Sequence, residues 1–198
     1  GLPDRALVGR GEARFTQPSA ESLVLTLDLP NSVVLPFGVP RDARLPLNLW
    51  EEPWNAVTIF PSGQEGGPPV FRPGVGPTTS SGVERLSLNA HPPNGGRTAL
   101  DFHIRVPEEP CELVSAVGIR DGAKTGGVGF EVAVNGTVLW RKALPGPDGW
   151  HAVEVDLSAY RGREVLLSLI TDSLGDYSFD WAAWAEPRLV PRGRAAAR

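Results

Sequence analysis

The sequence predicts an all-β fold, an antiparallel β-sandwich with long Pro/Gly-rich loops, on three observations. Apolar residues recur at every second position through several separate stretches, as half-buried strands require. The turns between these stretches carry turn chemistry, above all Asn135-Gly136, where both residues tolerate positive φ. No amphipathic run reaches helical length, and only "SAYRG" (158–162) could close a single turn.

The elements follow in order. "SLVLTLDL" (22–29) sets Leu23, Leu25, Leu27 and Leu29 against Val24, Thr26 and Asp28. Residues 30–82 are looser, with "LPFGVPRDARLP" and "PSGQEGGPPVFRPGVGP" reading as Pro/Gly loops. "ALDFHIRV" (99–106) turns Leu100, Phe102, Ile104 and Val106 inward and Asp101, His103 and Arg105 outward. "GFEVAV" buries Phe130, Val132 and Val134, and "HAVEVDL" buries Val153, Val155 and Leu157. "EVLLSLI" buries either Val165, Leu167 and Leu169 or the opposite set. "HPPNGG" and "LPGPDG" are loops by composition. Regular short strands with turns between them point to one sandwich or jelly roll of about nine to eleven strands. One domain over 1–190 is expected: N-terminal strands within 11–30 joining the same two sheets, a loop-rich stretch over 30–82, and a jelly-roll core over 83–190. Residues 191–198, "PRGRAAAR", read as a tail or linker.

Composition removes several function classes. A net charge of −4 argues against nucleic acid, whose phosphates need a basic face. Cys111 is the single cysteine, which leaves no internal disulfide and reads as a small buried apolar residue. No apolar run approaches the roughly 20 residues that span a bilayer. Methionine is absent even at position 1, as expected of a processed chain or an excised domain.

From about residue 98 the order of features becomes specific: "LDFHIRVP", then "LVSAVGIRDGAKTGGVGFEVAVNGTVLWRKAL", "GWHAVEVDLSAYRGREVLLSLITD" and "YSFDWAAWAEPRL". This series resembles the galactose-binding-like jelly rolls, and most the NPCBM-type carbohydrate-binding modules of bacterial secreted proteins. The matching positions are Val117 to Asp121, Phe130 to Gly136, Val155 to Leu157, and Asp180 to Ala182. Two positions depart from the pattern: Asn135 stands for the usual hairpin acid, and Phe179 for a polar residue before Asp180-Trp181. The resemblance implies a closing strand in "SFDWAAWAEPRL", with Trp181 and Trp184 facing opposite sides and Trp181 the better candidate for the core. It also implies an extracytoplasmic, bacterial setting; no cofactor is expected, and Asp121, Asp180 and Glu186 are the candidate ligands by family position for a possible structural calcium.

The candidate ligand residues are aromatic and polar. Trp150 and Tyr177 lie beside turn sequences and could offer a ring to the apolar side of a sugar; Trp140 belongs to the same aromatic set, whose alternative role is core packing. Asp101, His103 and Arg105 share one strand face and could bind hydroxyls or a carboxylate, or form an ordinary solvated exterior. Glu51 and Glu52, between Trp50 and Trp54, are adjacent and point apart, so they are not a glycosidase dyad. His91, His103 and His151 lack zinc-ligand spacing, and "GAKTGG" lacks the Gly-Lys-Ser/Thr order of a phosphate loop. The expected function is a non-catalytic module that binds carbohydrate or serves a larger enzyme. The alternative is a structural subunit that uses exposed aromatics and loops to hold a protein partner.

Overall fold

The structure, a computed structural model, describes residues 44–60 and 71–193 in full and the backbone of the strands within 5–8, 11–19, 22–27 and 41–42. The chain divides into two compact units, Gly1–Arg41 and Asp42–Arg198. The first holds β1 (Arg5–Val8), β2 (Gly11–Ser19) and β3 (Ser22–Leu27), which form an antiparallel three-stranded sheet of their own. The expectation that strands of this region join the two sandwich sheets gives way to that separate sheet. Leu29 and most of the 28–43 segment lie outside the described residues, as do 61–70 and the last five residues of the tail.

β4 (Arg41–Asp42) stands at the division between the units. The second unit then continues with β5 (Leu47–Asn48), β6 (Asn55–Ile59), β7 (Gly74–Ser80), β8 (Val83–Asn89), β9 (Arg97–Arg105) and β10 (Cys111–Ile119). It ends with β11 (Val128–Val134), β12 (Thr137–Leu144), β13 (His151–Asp156), β14 (Glu164–Asp172) and β15 (Ala182–Pro191). One sheet runs β13-β10-β15-β8-β7, with β5 also on β15; the other runs β12-β11-β14-β9, with β6 on the far edge of β9. The pairings are antiparallel. β7 begins at Gly74, so the last residues of the stretch read as a Pro/Gly loop are strand.

Alternation sets the core as the sequence predicts. Leu100, Phe102, Ile104, Phe130, Val132, Val153, Val155, Val165, Leu167 and Leu169 are buried between the sheets. For β14 the set containing Val165 is the inward one. Phe130 meets Trp184 edge to face, with ring centroids 5.6 Å apart, which ties the middles of the two sheets together. Cys111 is buried in the same core, and burial pushes its thiol up to about 11, as befits an inert apolar residue. Ser158–Tyr160 forms the expected single turn, of 3₁₀ type.

Asn135 and Gly136, at φ 50° and 78°, make the tight β11–β12 turn. The Asn135 carboxamide oxygen accepts from Leu166 N at 2.9 Å, and Asn135 N donates to Leu166 O at 2.9 Å, so the turn also clips β14.

Candidate functional site

Trp184 is fully buried, whereas Trp181 precedes β15 and is only partly covered. This reverses the expected assignment of the core indole. The reason is where the strand begins: Ala182–Pro191 is the strand, so Trp181 belongs to the loop that feeds it. There Arg120 lies over its ring at 5.2 Å, and Phe179 packs edge-on at 5.6 Å.

Trp150 and Trp140 do not form a loop-end platform. Trp150 donates its indole N–H to Val83 O at 2.8 Å, and Arg85 lies over its ring at 5.8 Å. Its ring rests on Gly118, on the sheet face opposite that of core residues Val117 and Ile119. Trp140 packs on the core and meets Trp184 at 6.3 Å. Trp50 and Trp54 also pack against the core, and Glu51 accepts from Asn48.

Asp101, His103 and Arg105 do share the outer face of β9. The register places them opposite Ser168, Leu166 and Glu164 of β14. Ser168 Oγ donates to Asp101 at 2.5 Å, and Arg105 pairs with Glu164 at 2.6 Å. Ser168 and Glu164 therefore hold Asp101 and Arg105 across the strands.

The three proposed calcium ligands are not brought together. Asp121 accepts the Ser81 and Gly82 amides at 2.7 and 2.9 Å, which pins the β7–β8 turn. Glu186 pairs with Arg85 at 2.8 Å. Asp180 is fully buried, with one oxygen accepting from the Thr125 hydroxyl. Burial holds its carboxyl up at about 6, with Thr125 pulling the other way and the charges of Asp176 and Asp172 adding to the rise. Among the described residues no three His, Cys, Asp or Glu side chains gather as a metal site would need.

Tyr177 is the sequence-predicted residue that does stand at a loop end. It is 36% exposed and meets the rings of His91 and Phe71 at 6.0 and 6.3 Å; His91 and Phe71 stack at 4.4 Å. A half-open cleft of about 540 Å³ lies at neighbouring strand ends, with Gly175 of the Tyr177 loop in its wall. Ile59 and Phe60 come to it from the end of β6, Gly95 to Arg97 from the entry to β9, and Asp172 and Gly175 from the exit of β14. Arg97 Nε pairs with Asp172 at 2.7 Å and Nη1 with Glu131 at 3.2 Å.

Phe60, Phe71, His91, Arg97 and Asp172, which the structure places at these loop ends, are not among the ligand residues the sequence suggests. Their shared signal is position, since each stands at or just beyond a strand terminus beside a Gly/Pro loop. The loop bearing Tyr177 also holds two bulky residues at positive φ, Leu174 at 52° and Phe179 at 59°. Such strain gathers at functional loops.

Comparison with known proteins agrees with this architecture. Residues 96–190 match the family model of the NPCBM/NEW2 domain. An uncharacterized protein of Archaeoglobus fulgidus is 36% identical over 93 residues, which are 46% of this chain and 22% of that protein. The match thus spans less than a quarter of that relative's length. The CBM51-2 and INT domains of Clostridium perfringens ZmpB, solved in complex with GlcNAc, superpose with a TM-score of 0.52 at 14% identity, covering 93% of this chain and 38% of that one. The tandem CBM51 modules of Sp3GH98, the family 98 glycoside hydrolase from Streptococcus pneumoniae SP3-BS71, give 0.52 at 13% identity, covering 85% and 54%. At that identity the likeness is one of fold. Residues 96–190 thus match the NPCBM/NEW2 domain model, and the described sandwich shares the β-sandwich fold of those solved structures.

Proposed function

We propose that this chain is a non-catalytic carbohydrate-binding module, that its sugar seat is the loop-end cavity beside Tyr177, and that it works extracytoplasmically as an accessory to a larger protein. The observation that carries the reading is the cavity itself. Its volume of about 540 Å³ falls within the roughly 300–1,000 Å³ usual for small-ligand sites. Phe60 lines it as an exposed ring, Gly175 of its wall stands two residues before the exposed Tyr177, and Arg97 and Asp172 supply a fixed polar pair. Hydrolysis of a glycosidic bond calls for two carboxylates across the bond, whereas Asp172 is committed to Arg97. The accessory role draws on the neighbours in ZmpB and in a family 98 glycoside hydrolase.

A second reading, docking of a protein partner, is favoured by Leu174 and Phe179, which are 57% and 48% exposed in the same loop. A glycan array with the wild type, Tyr177→Ala and Trp150→Phe separates the two. The sugar reading expects binding that falls by about tenfold or more in Tyr177→Ala, a loss on the order of a buried aromatic contact, and that survives in Trp150→Phe. Absence of binding to any glycan by the folded wild type would overturn it in favour of a protein partner.

A further inference from the structure

We infer that the loop-end cavity selects neutral over anionic sugars and that Asp172 is its specificity-determining residue; this rests on the sugar-seat reading above. An arginine in a binding site is ordinarily the group that takes a carboxylate or sulfate, because its planar fork matches two acceptor oxygens. Arg97 is the cationic residue of this cavity wall, and its fork is already engaged by two carboxylates of its own chain. Nε donates to Asp172 Oδ2 at 2.7 Å, and Nη1 to Glu131 Oε2 at 3.2 Å.

The arrangement is built into three adjacent strands. Arg97 of β9 stands opposite Asp172 of β14, which stands opposite Gly129 of β11, two residues before Glu131. The other oxygen of Asp172 accepts the Leu174 amide at 2.9 Å. Asp172 therefore cannot swing away from Arg97 without also freeing the loop that carries Tyr177. Arg141 reaches Glu131 at 3.8 Å, but it is 73% exposed and screens weakly.

An anionic sugar that took the remaining guanidinium N–H groups of Arg97 would sit beside Asp172 and Glu131, like charge against like charge. A hydroxyl asks for nothing of the kind. It can donate to a carboxylate lone pair or accept from the guanidinium while the ion pair stays intact. The pair thus serves as a rigid donor and acceptor for neutral hydroxyls, and its negative half excludes acids.

The test uses the full chain on an array that prints neutral hexose-terminated glycans beside counterparts oxidised to the uronic acid, or sulfated, at the primary alcohol. The wild type should prefer the neutral member of each pair by about tenfold or more, as like-charge juxtaposition requires. Asp172→Asn keeps an acceptor for Leu174 N and should shift the preference toward the anionic member by about tenfold. Equal or tighter wild-type binding of the anionic member would overturn the inference, as would an unmoved preference in a variant that melts like the wild type. If Asp172→Asn does not fold, competition of array binding by free glucuronate against free glucose reads the wild-type preference directly. Absence of binding to both members overturns the sugar seat itself, and this inference with it.

Discussion

The indole of Trp150 lies so close to Gly118 that a Cβ built at position 118 would fall 2.8 Å from Trp150 Cε3 and 3.0 Å from Cζ3. Gly118 is strand β10 and Trp150 stands just before β13, so the contact fastens the loop end to the sheet beside it. Trp150 is therefore a packing residue, although its place beside a turn sequence suggests a ligand platform. Gly118→Ala should cost about 1–3 kcal/mol through overpacking, since Gly149 O also stands 3.2 Å from the new methyl. Urea unfolding measures this. In a Trp150→Ala background the same substitution should cost less, because the atoms it strikes are gone.

Asp121 holds two amides of the β7–β8 turn, where Ser81 and Gly82 take φ values of 48° and 76°. Asp121→Ala should destabilise by about 1 kcal/mol, because both amides lie where water can replace the carboxylate. The loss should be the same in excess calcium and in chelator. A cost confined to calcium-containing buffer would return Asp121 to the role of a metal ligand.

Asp180 gives a pH dependence with a definite sign. Burial raises its carboxyl from the ordinary 3.8 to about 6, so between these values the folded chain binds more protons than the unfolded one. Its contribution is complete below about pH 4 and is lost as the pH rises through about 6, a change on the order of 3 kcal/mol. Asp156 and Asp176, held low by their Ser158 and Ser178 hydrogen bonds, act oppositely and lose their stabilising effect as the pH falls below the ordinary carboxylate range. Melting curves from pH 4 to 8 should show the wild type losing stability that Asp180→Asn keeps. Parallel profiles for the two proteins would rule out a titrating Asp180.

Much of the sandwich is legible because burial has a period of two in a strand. Leu100, Phe102 and Ile104 must face together, and Asn135-Gly136 must turn, whatever lies across the sheet. The candidate site is less legible. Tyr177 can be named from its turn-rich surroundings, but Arg97 and Asp172 are 75 positions apart and meet only because β9 and β14 are neighbours. The glycines at 95, 96 and 175 read as turn residues and become a cavity wall only when the three loops converge.

The sequence alone determined many of the strands, their inward faces, the tight turn at Asn135-Gly136 and, through the motifs after residue 98, a resemblance of the C-terminal half that the family match repeats. These are short-range properties, set by alternation, backbone freedom and residue order. Tertiary structure decided which strands share a sheet, that β1 to β3 form one of their own, which of Trp181 and Trp184 is core, and which carboxylates are held by which partners. Alternation tells a side chain which way to point but not what it will meet, and pairing across distant strands supplies that second answer.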